Sequence, residues 1–191
     1  MTGEYAHGNG VVVDACVLLN LCASGELAAV VHSLGKQLIM LPEVEKETQW
    51  LRRDGTGDDR EGSVAVDLVP FLESGAIVRE RLSTPEQLAL YVELAREVDD
   101  GEAAAMALAV VTGRVLATDD RKCLRVVQAK HSECSAVTTP ELLRQWVETA
   151  TPPVPLVQRA LWMVAEHARY WPPRDHPLRA WWDAAVKASG V

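Results

Sequence analysis

The chain has 191 residues, 48% of them hydrophobic, enough to bury a core in one domain with room for a small appendage. Its formal net charge of -8 excludes the broad positive field of a basic nucleic-acid binder, so any polyanion must be held locally or through bound cations. No apolar run reaches the roughly 18 to 20 residues of a membrane-crossing helix, and Cys16, Cys22, Cys123 and Cys134 lack the spacing of a zinc knuckle or redox motif, so the expectation is a soluble, cytoplasmic protein with reduced, mostly buried thiols.

Val11-Val12-Val13 is a β-branched run ending at Asp14, the pattern of a buried strand with an acid at its carboxyl end. An apolar segment, Val17-Leu18-Leu19, follows, and then a helix over about Glu26 to Ser33. Leu38 to Leu41 reads as a second strand stopped by Pro42, which suits the first turn of the next helix. Asp54 to Gly62, glycine-rich and mixed in charge, is the main internal loop. Gly75 precedes a third strand, Ala76-Ile77-Val78, with helices expected on both sides. Thr84-Pro85-Glu86 starts a helix whose apolar stripe is Leu88, Tyr91, Val92 and Ala95. Glu102 to Val111, rich in Ala, Leu and Met, suits a helix packed closely on a sheet. Val115 to Thr118 is a fourth strand, ending in Asp119-Asp120, and Ser135 to Thr138 a fifth before a helix from Pro140. Strands alternating with helices predict an α/β fold with a parallel, doubly wound sheet. The composition changes after Thr151-Pro152-Pro153. Residues 151–191 hold Trp162, Trp171, Trp181 and Trp182, and Val157, Ala160, Leu161, Val164 and Ala168 have helical spacing up to Trp171-Pro172-Pro173. The division expected is a main domain over 1–150 and a Trp-rich helical extension over 151–191, a separate unit of function or packing.

In an open α/β sheet, ligands bind outside the carboxyl ends of the strands, and two of the clearest strands end in acids, Asp14 and Asp119-Asp120. Glu102 opens a helix after Gly101, which permits close backbone approach, and can join them. Clustered carboxylates raise one another's pKa and oppose folding unless a counter-charge is present. Oxygen-only ligation favours magnesium or manganese, ions that generate hydroxide and clamp the attacking and leaving oxygens of a phosphodiester. Metal-assisted phosphodiester hydrolysis is the expected reaction.

Three segments, Val-Val-Asp14-Ala-Cys-Val-Leu-Leu-Asn20-Leu, Asp-Gly-Glu102-Ala-Ala-Ala-Met-Ala-Leu-Ala and Leu-Ala-Thr118-Asp119-Asp120-Arg-Lys, resemble in order and spacing the main motifs of the PIN-domain family. The resemblance covers about residues 10 to 150. It implies a three-layer α/β/α sandwich, usually a homodimer, whose acidic pocket holds Mg2+ or Mn2+ and cleaves RNA; many such proteins are toxins of toxin–antitoxin pairs, which implies an antitoxin partner. On that pattern Asp14, Glu102 and Asp120 are the metal-binding acids, with Asp119 an assisting metal-binding acid, and Thr118 braces the site. The family's remaining acid matches Glu47 in Pro42-Glu43-Val44-Glu45-Lys46-Glu47, with Glu43 as the alternative. The chain departs from the pattern at Cys16, where relatives often carry Ser, Thr or Asn, and in its extension after Thr151, which exceeds the usual length.

Each signal has a plainer reading. Asp14 and Asp119 or Asp120 could be helix N-caps, and Glu102 a first-turn acid favoured by the helix dipole. Three caps at three correctly ordered positions are a less economical account than one metal site. Asp99 and Asp100 read as loop acids. Arg121, Lys122 and Arg125 could hold the RNA backbone beside the metals or form a solvated helix face, and Arg52 and Arg53 are weaker candidates at a helix end. The dispersed His7, His32, His131, His167 and His176 argue against zinc, and the tryptophans read as core or interface before a base-stacking platform. The competing function is a catalytically silent PIN-like module that binds protein or RNA. A phosphatase is disfavoured, because Asp14-Ala-Cys16 lacks a second Asp two residues on and no lysine follows the Ser135 to Thr138 strand.

Overall fold

The computed structural model of the chain describes residues 10–48, 50–52 and 63–188. The expected loop at Asp54 to Gly62, Arg53 and His7 lie outside them. Strand β1 (Gly10–Val13) is buried at every position, with β2 (Gln37–Met40) on one side and β6 (Val115–Ala117) on the other. A strand covered on both faces reads as an unbroken apolar run, which is why Val11-Val12-Val13 shows no alternation. Strands β5 (Ile77–Arg79) and β7 (Ala136–Val137) complete a parallel sheet of order β5-β2-β1-β6-β7. The chain builds outward from β1 through β2 to β5, then resumes on the other side with β6. The reversal opens a crevice at the carboxyl ends of β1 and β6, the place where such sheets bind ligands.

Helix α1 (Ala15–Ser24) follows β1, and α2 (Leu27–Leu34), α3 (Pro42–Glu47), α4 (Val69–Glu73) and α5 (Pro85–Leu94) lie before α6 (Asp100–Thr112). The alanines of α6 are fully buried and let it sit close over β1 and β6, with α3, α5 and α7 (Arg121–Lys130) beside it. Helices α1, α2 and α8 (Thr139–Ala150) pack with one another in the other layer, giving the expected three-layer α/β/α sandwich. Between α3 and α4 runs an antiparallel ribbon, β3 (Trp50–Arg52) with β4 (Ser63–Ala65), which places Arg52 in a strand and not at a helix end.

Helix α5 packs in a different phase from the expected stripe: Leu88 is 49% exposed and Val92 57%, while Gln87 and Leu94 are buried. The capping box sets that phase. Thr84 Oγ1 accepts from the Gln87 amide, and Gln87 Oε1 accepts from the amides of Ser83 and Thr84, so a polar side chain turns inward with its acceptor satisfied.

The extension continues the same core. Helix α9 (Val154–His167) lays Val157, Ala160, Leu161 and Val164 against α1, and α10 (Arg179–Ala188) packs on α9 with Trp182 wholly buried. Helix α9 stops four residues before Trp171, where Arg169 takes a left-handed conformation (φ 52°) and turns the chain back towards the sheet. Cys123 and Cys134 are buried and Cys22 half-buried, as expected of mostly buried thiols, and Cys16 is exposed. Among the described residues no single helix is long and apolar enough to cross a membrane.

Candidate metal centre

The acids at the crevice are positioned by the helices they start. The backbone amide of Asp14 donates to Ala117 O at 3.0 Å, tying the ends of β1 and β6 together, and Asp14 Oδ1 caps α1 by accepting from Val17 N at 2.7 Å. Asp120 Oδ1 caps α7 by accepting from the amides of Lys122 and Cys123, both at 2.7 Å. Glu102, in the first turn of α6, accepts through Oε2 from Asp99 N at 3.3 Å. The two readings of these acids are therefore not alternatives. Each cap uses one carboxylate oxygen and fixes the direction of the other, and three helix N-termini, with their partial positive charge, surround the cluster.

Asp14 shows what the arrangement costs. It is 3% exposed, and its Oδ2 has no hydrogen-bond partner among the described residues. Burial pushes its carboxyl up to about 7; the neighbouring Thr118 hydroxyl and the Val17 amide pull the other way, and the charges of Asp119 and Glu102 add to the rise. Burial also raises Glu102, with help from Asp120, Asp99 and Glu47. Thr118, fully buried, accepts from the Asp120 amide at 3.1 Å and lies beside Asp14, whose carboxyl pKa it lowers. The exposed Cys16 thiol, pushed up to about 12 by desolvation and by Asp14, Asp119, Glu102 and Asp120, overlooks the same cluster as a neutral group.

The three glutamates of α3 separate by partner. Glu45 forms a two-point ion pair with Arg79, whose Nη2 donates to Glu45 Oε1 at 2.5 Å and whose Nε donates to Oε2 at 2.9 Å. Glu47 lies against Gly101, where an added Cβ would come within 2.9 Å of its Oε1, and it contributes to the field on Glu102. Its own carboxyl is raised by partial burial and by Asp99, Asp100 and Glu43. Glu43 sits on the Tyr91 and Glu47 side of the group. Asp99 and Asp100 thus contribute to the field, while Asp100 Oδ1 accepts from Tyr91 OH at 3.2 Å.

Asp119 has a different environment from its neighbours. Oδ1 accepts from Thr139 N at 2.9 Å and Tyr170 OH at 2.8 Å; Oδ2 accepts from Asn20 Nδ2 at 2.9 Å and Thr139 Oγ1 at 2.5 Å. These four donors match the roughly four acceptor positions of a carboxylate. Asp119 is arranged as a brace joining α1, β6, α8 and the extension, and its lone pairs are already engaged. Burial still raises its pKa, against the pull of all four donors. Asn20, Thr139 and Tyr170 belong to the site in addition to the residues the sequence motifs mark. Asn20 had a signal, a lone amide inside the apolar run Val-Leu-Leu-Asn-Leu; Tyr170 had none.

Arg121, Lys122 and Arg125 project from the exposed face of α7, whose buried face is Cys123, Val126 and Val127. Arg121 Nη2 donates to Asp175 Oδ1 of the extension at 2.7 Å. Among the described residues no group of three or more His, Cys, Asp or Glu side chains closes to the direct coordination of one ion. Carboxylate oxygens are the donors a hard cation takes when it keeps part of its water shell and meets one or two carboxylates, and Asp14 Oδ2 is the open acceptor among them. No family model matches this chain, and no curated protein or solved structure matches it significantly.

Proposed function

We propose that this protein is a divalent-metal-dependent endoribonuclease that hydrolyses RNA phosphodiesters, with the PIN-like toxin of a toxin–antitoxin pair as its biological form. One observation carries the reading: a buried carboxylate oxygen, Asp14 Oδ2, is left without a donor beside Glu102, which in turn feels the charges of Asp120 and Glu47. Leaving a buried polar group unsatisfied is expensive unless something absent from the protein chain completes it. Mg2+ or Mn2+ held among Asp14, Glu102 and Asp120, partly through its own water shell, would supply an activated water and offset the charge of the phosphodiester. The chain's own residues do the rest. Thr118 and the N-caps fix the carboxylates, Asp119 locks the carboxyl end of β6 to the extension, and Lys122 and Arg125 stand about one turn apart at the start of α7, where a backbone phosphate can be held.

The test is cleavage of a pool of structured and single-stranded RNAs in Mg2+ or Mn2+ by wild type, Asp14→Asn and Asp120→Asn, purified identically. Loss in both variants is expected; equal cleavage by the variants overturns the assignment. A second reading, a catalytically silent module that binds RNA or protein, is favoured by Asp119, whose acceptor positions are filled by protein donors. Cation-independent binding by a folded wild type that cleaves nothing decides for it.

A further inference from the structure

Beside the acid cluster, on the far side of Asp119, lies a pocket of about 220 Å3 between α7 and residues 170–178. Its walls are apolar faces: Leu124, the Tyr170 ring, Pro173 and Pro177. The polar groups that reach it are already paired. Leu178 N donates to His176 Nδ1 at 3.1 Å, which leaves the ring proton on Nε2; Nε2 donates to Thr138 Oγ1 at 3.1 Å, and the Thr138 hydroxyl donates to Glu141 Oε2 at 2.8 Å. Tyr170 OH is held by Asp119. A cavity of this kind offers contact area and almost no spare hydrogen bonds. It is smaller than the roughly 300–1,000 Å3 typical of whole small-molecule sites, so it takes one flat ring system.

The rim carries the complementary charge. Arg121 and Asp175, both lining residues, face each other as an exposed ion pair with 65% and 76% of their side chains accessible. Such a pair contributes little, and a phosphate can exchange with Asp175 for the guanidinium at small cost. We infer that this pocket receives one nucleobase of the polynucleotide whose phosphodiester lies at the acid cluster, with Arg121 taking an adjoining phosphate. The inference rests on the nuclease reading. Asp119 connects the two places, since its carboxylate lines the pocket and braces the acid site. The extension is then a grip for the substrate, and an acidic protein gains by ring contact part of the affinity that a basic surface would otherwise supply. Because the polar lining is satisfied internally, the pocket senses the presence of a base more than its identity.

The experiment uses full-length Asp14→Asn protein, which keeps the pocket, and a short single-stranded RNA in which one abasic residue is moved along the chain, with binding read by fluorescence anisotropy. An abasic residue at one position should weaken binding about 10-fold, and at the others little. Leu124→Trp, which fills the pocket, and Pro177→Glu, at an exposed wall, should each weaken intact RNA by a similar factor and erase the abasic effect, with folding checked by circular dichroism. Equal affinity wherever the abasic residue stands overturns the inference, as does unchanged affinity in both pocket variants. Wild-type cleavage in Mg2+ or Mn2+, followed in parallel, separates the two claims. Cleavage with no abasic dependence removes the pocket and leaves the nuclease; abasic-dependent binding without cleavage does the reverse; no binding by folded protein removes both.

Discussion

Asp14→Asn tests whether the acid cluster is held against its own electrostatics. An amide oxygen can still accept the Val17 N–H that caps α1, so shape and cap survive and only the charge is lost. Folding lifts the wild-type carboxyl from 3.8 to about 7. Below the lower value the group is neutral in both states and contributes nothing. As the pH rises towards 7 the unfolded chain ionises first, so a penalty against folding builds, and above 7 it is constant. The displacement corresponds to about 4 kcal/mol at the plateau. Urea unfolding in EDTA should therefore find Asp14→Asn more stable than wild type by about 2–4 kcal/mol near pH 8, with the gap narrowing as the pH falls to about 5. Mn2+ should stabilise wild type and leave the variant unmoved. A variant no more stable than wild type near pH 8 without metal would refute the claim that the carboxylate is strained.

Gly101→Ala brings a methyl group to 2.9 Å from Glu47 Oε1, and the flexible glutamate moves aside. Stability should hold, or rise by up to about 1 kcal/mol from helix propensity, while Mn2+ affinity, read by calorimetry, falls. Tyr170→Phe removes one of four donors to a buried carboxylate and should cost about 1.5–3 kcal/mol in urea unfolding. Trp182→Ala empties a fully buried site on α10 and should cost about 3–5 kcal/mol. If residues 151–188 belong to the same cooperative unit, that loss shifts the whole transition; a separate early transition would show an independent extension.

The central sheet was legible because β1, β2 and β6 are buried on both faces and therefore show as short unbroken apolar runs, and Asp14, Glu102 and Asp120 because each marks a helix start. What escaped was set by partners distant in sequence or by side-chain chemistry that hydrophobic periodicity ignores. Helix α5 was rotated in expectation towards Leu88 and Val92, since periodicity counts apolar residues and cannot know that Gln87 turns inward to bond Ser83 and Thr84. The ribbon β3–β4 rests on three-residue strands, too short to leave an alternating pattern. The contact of Tyr170 with Asp119 spans 51 residues. Nothing around Trp171-Pro172-Pro173 points to the acid cluster, and the left-handed turn at Arg169 that aims the chain there has no glycine to announce it.

A protein of net charge -8 that handles RNA must do so with few phosphate contacts, and that consequence can be measured. The cations that α7 carries beside the acid cluster are Arg121, Lys122 and Arg125, and Arg121 is shared with Asp175. For single-stranded nucleic acid, each neutralised phosphate contributes about -0.7 to the slope of log affinity against log salt, so three contacts set a limit near -2. Anisotropy titrations of a short single-stranded RNA with Asp14→Asn protein, between about 50 and 200 mM salt, should give a slope no steeper than this. A slope beyond about -4 would require a wider basic surface than α7 presents and would move the substrate path away from it. A shallow slope together with measurable affinity would mean that much of the binding energy is not electrostatic, which is what a base seated against Leu124, Tyr170 and the prolines supplies.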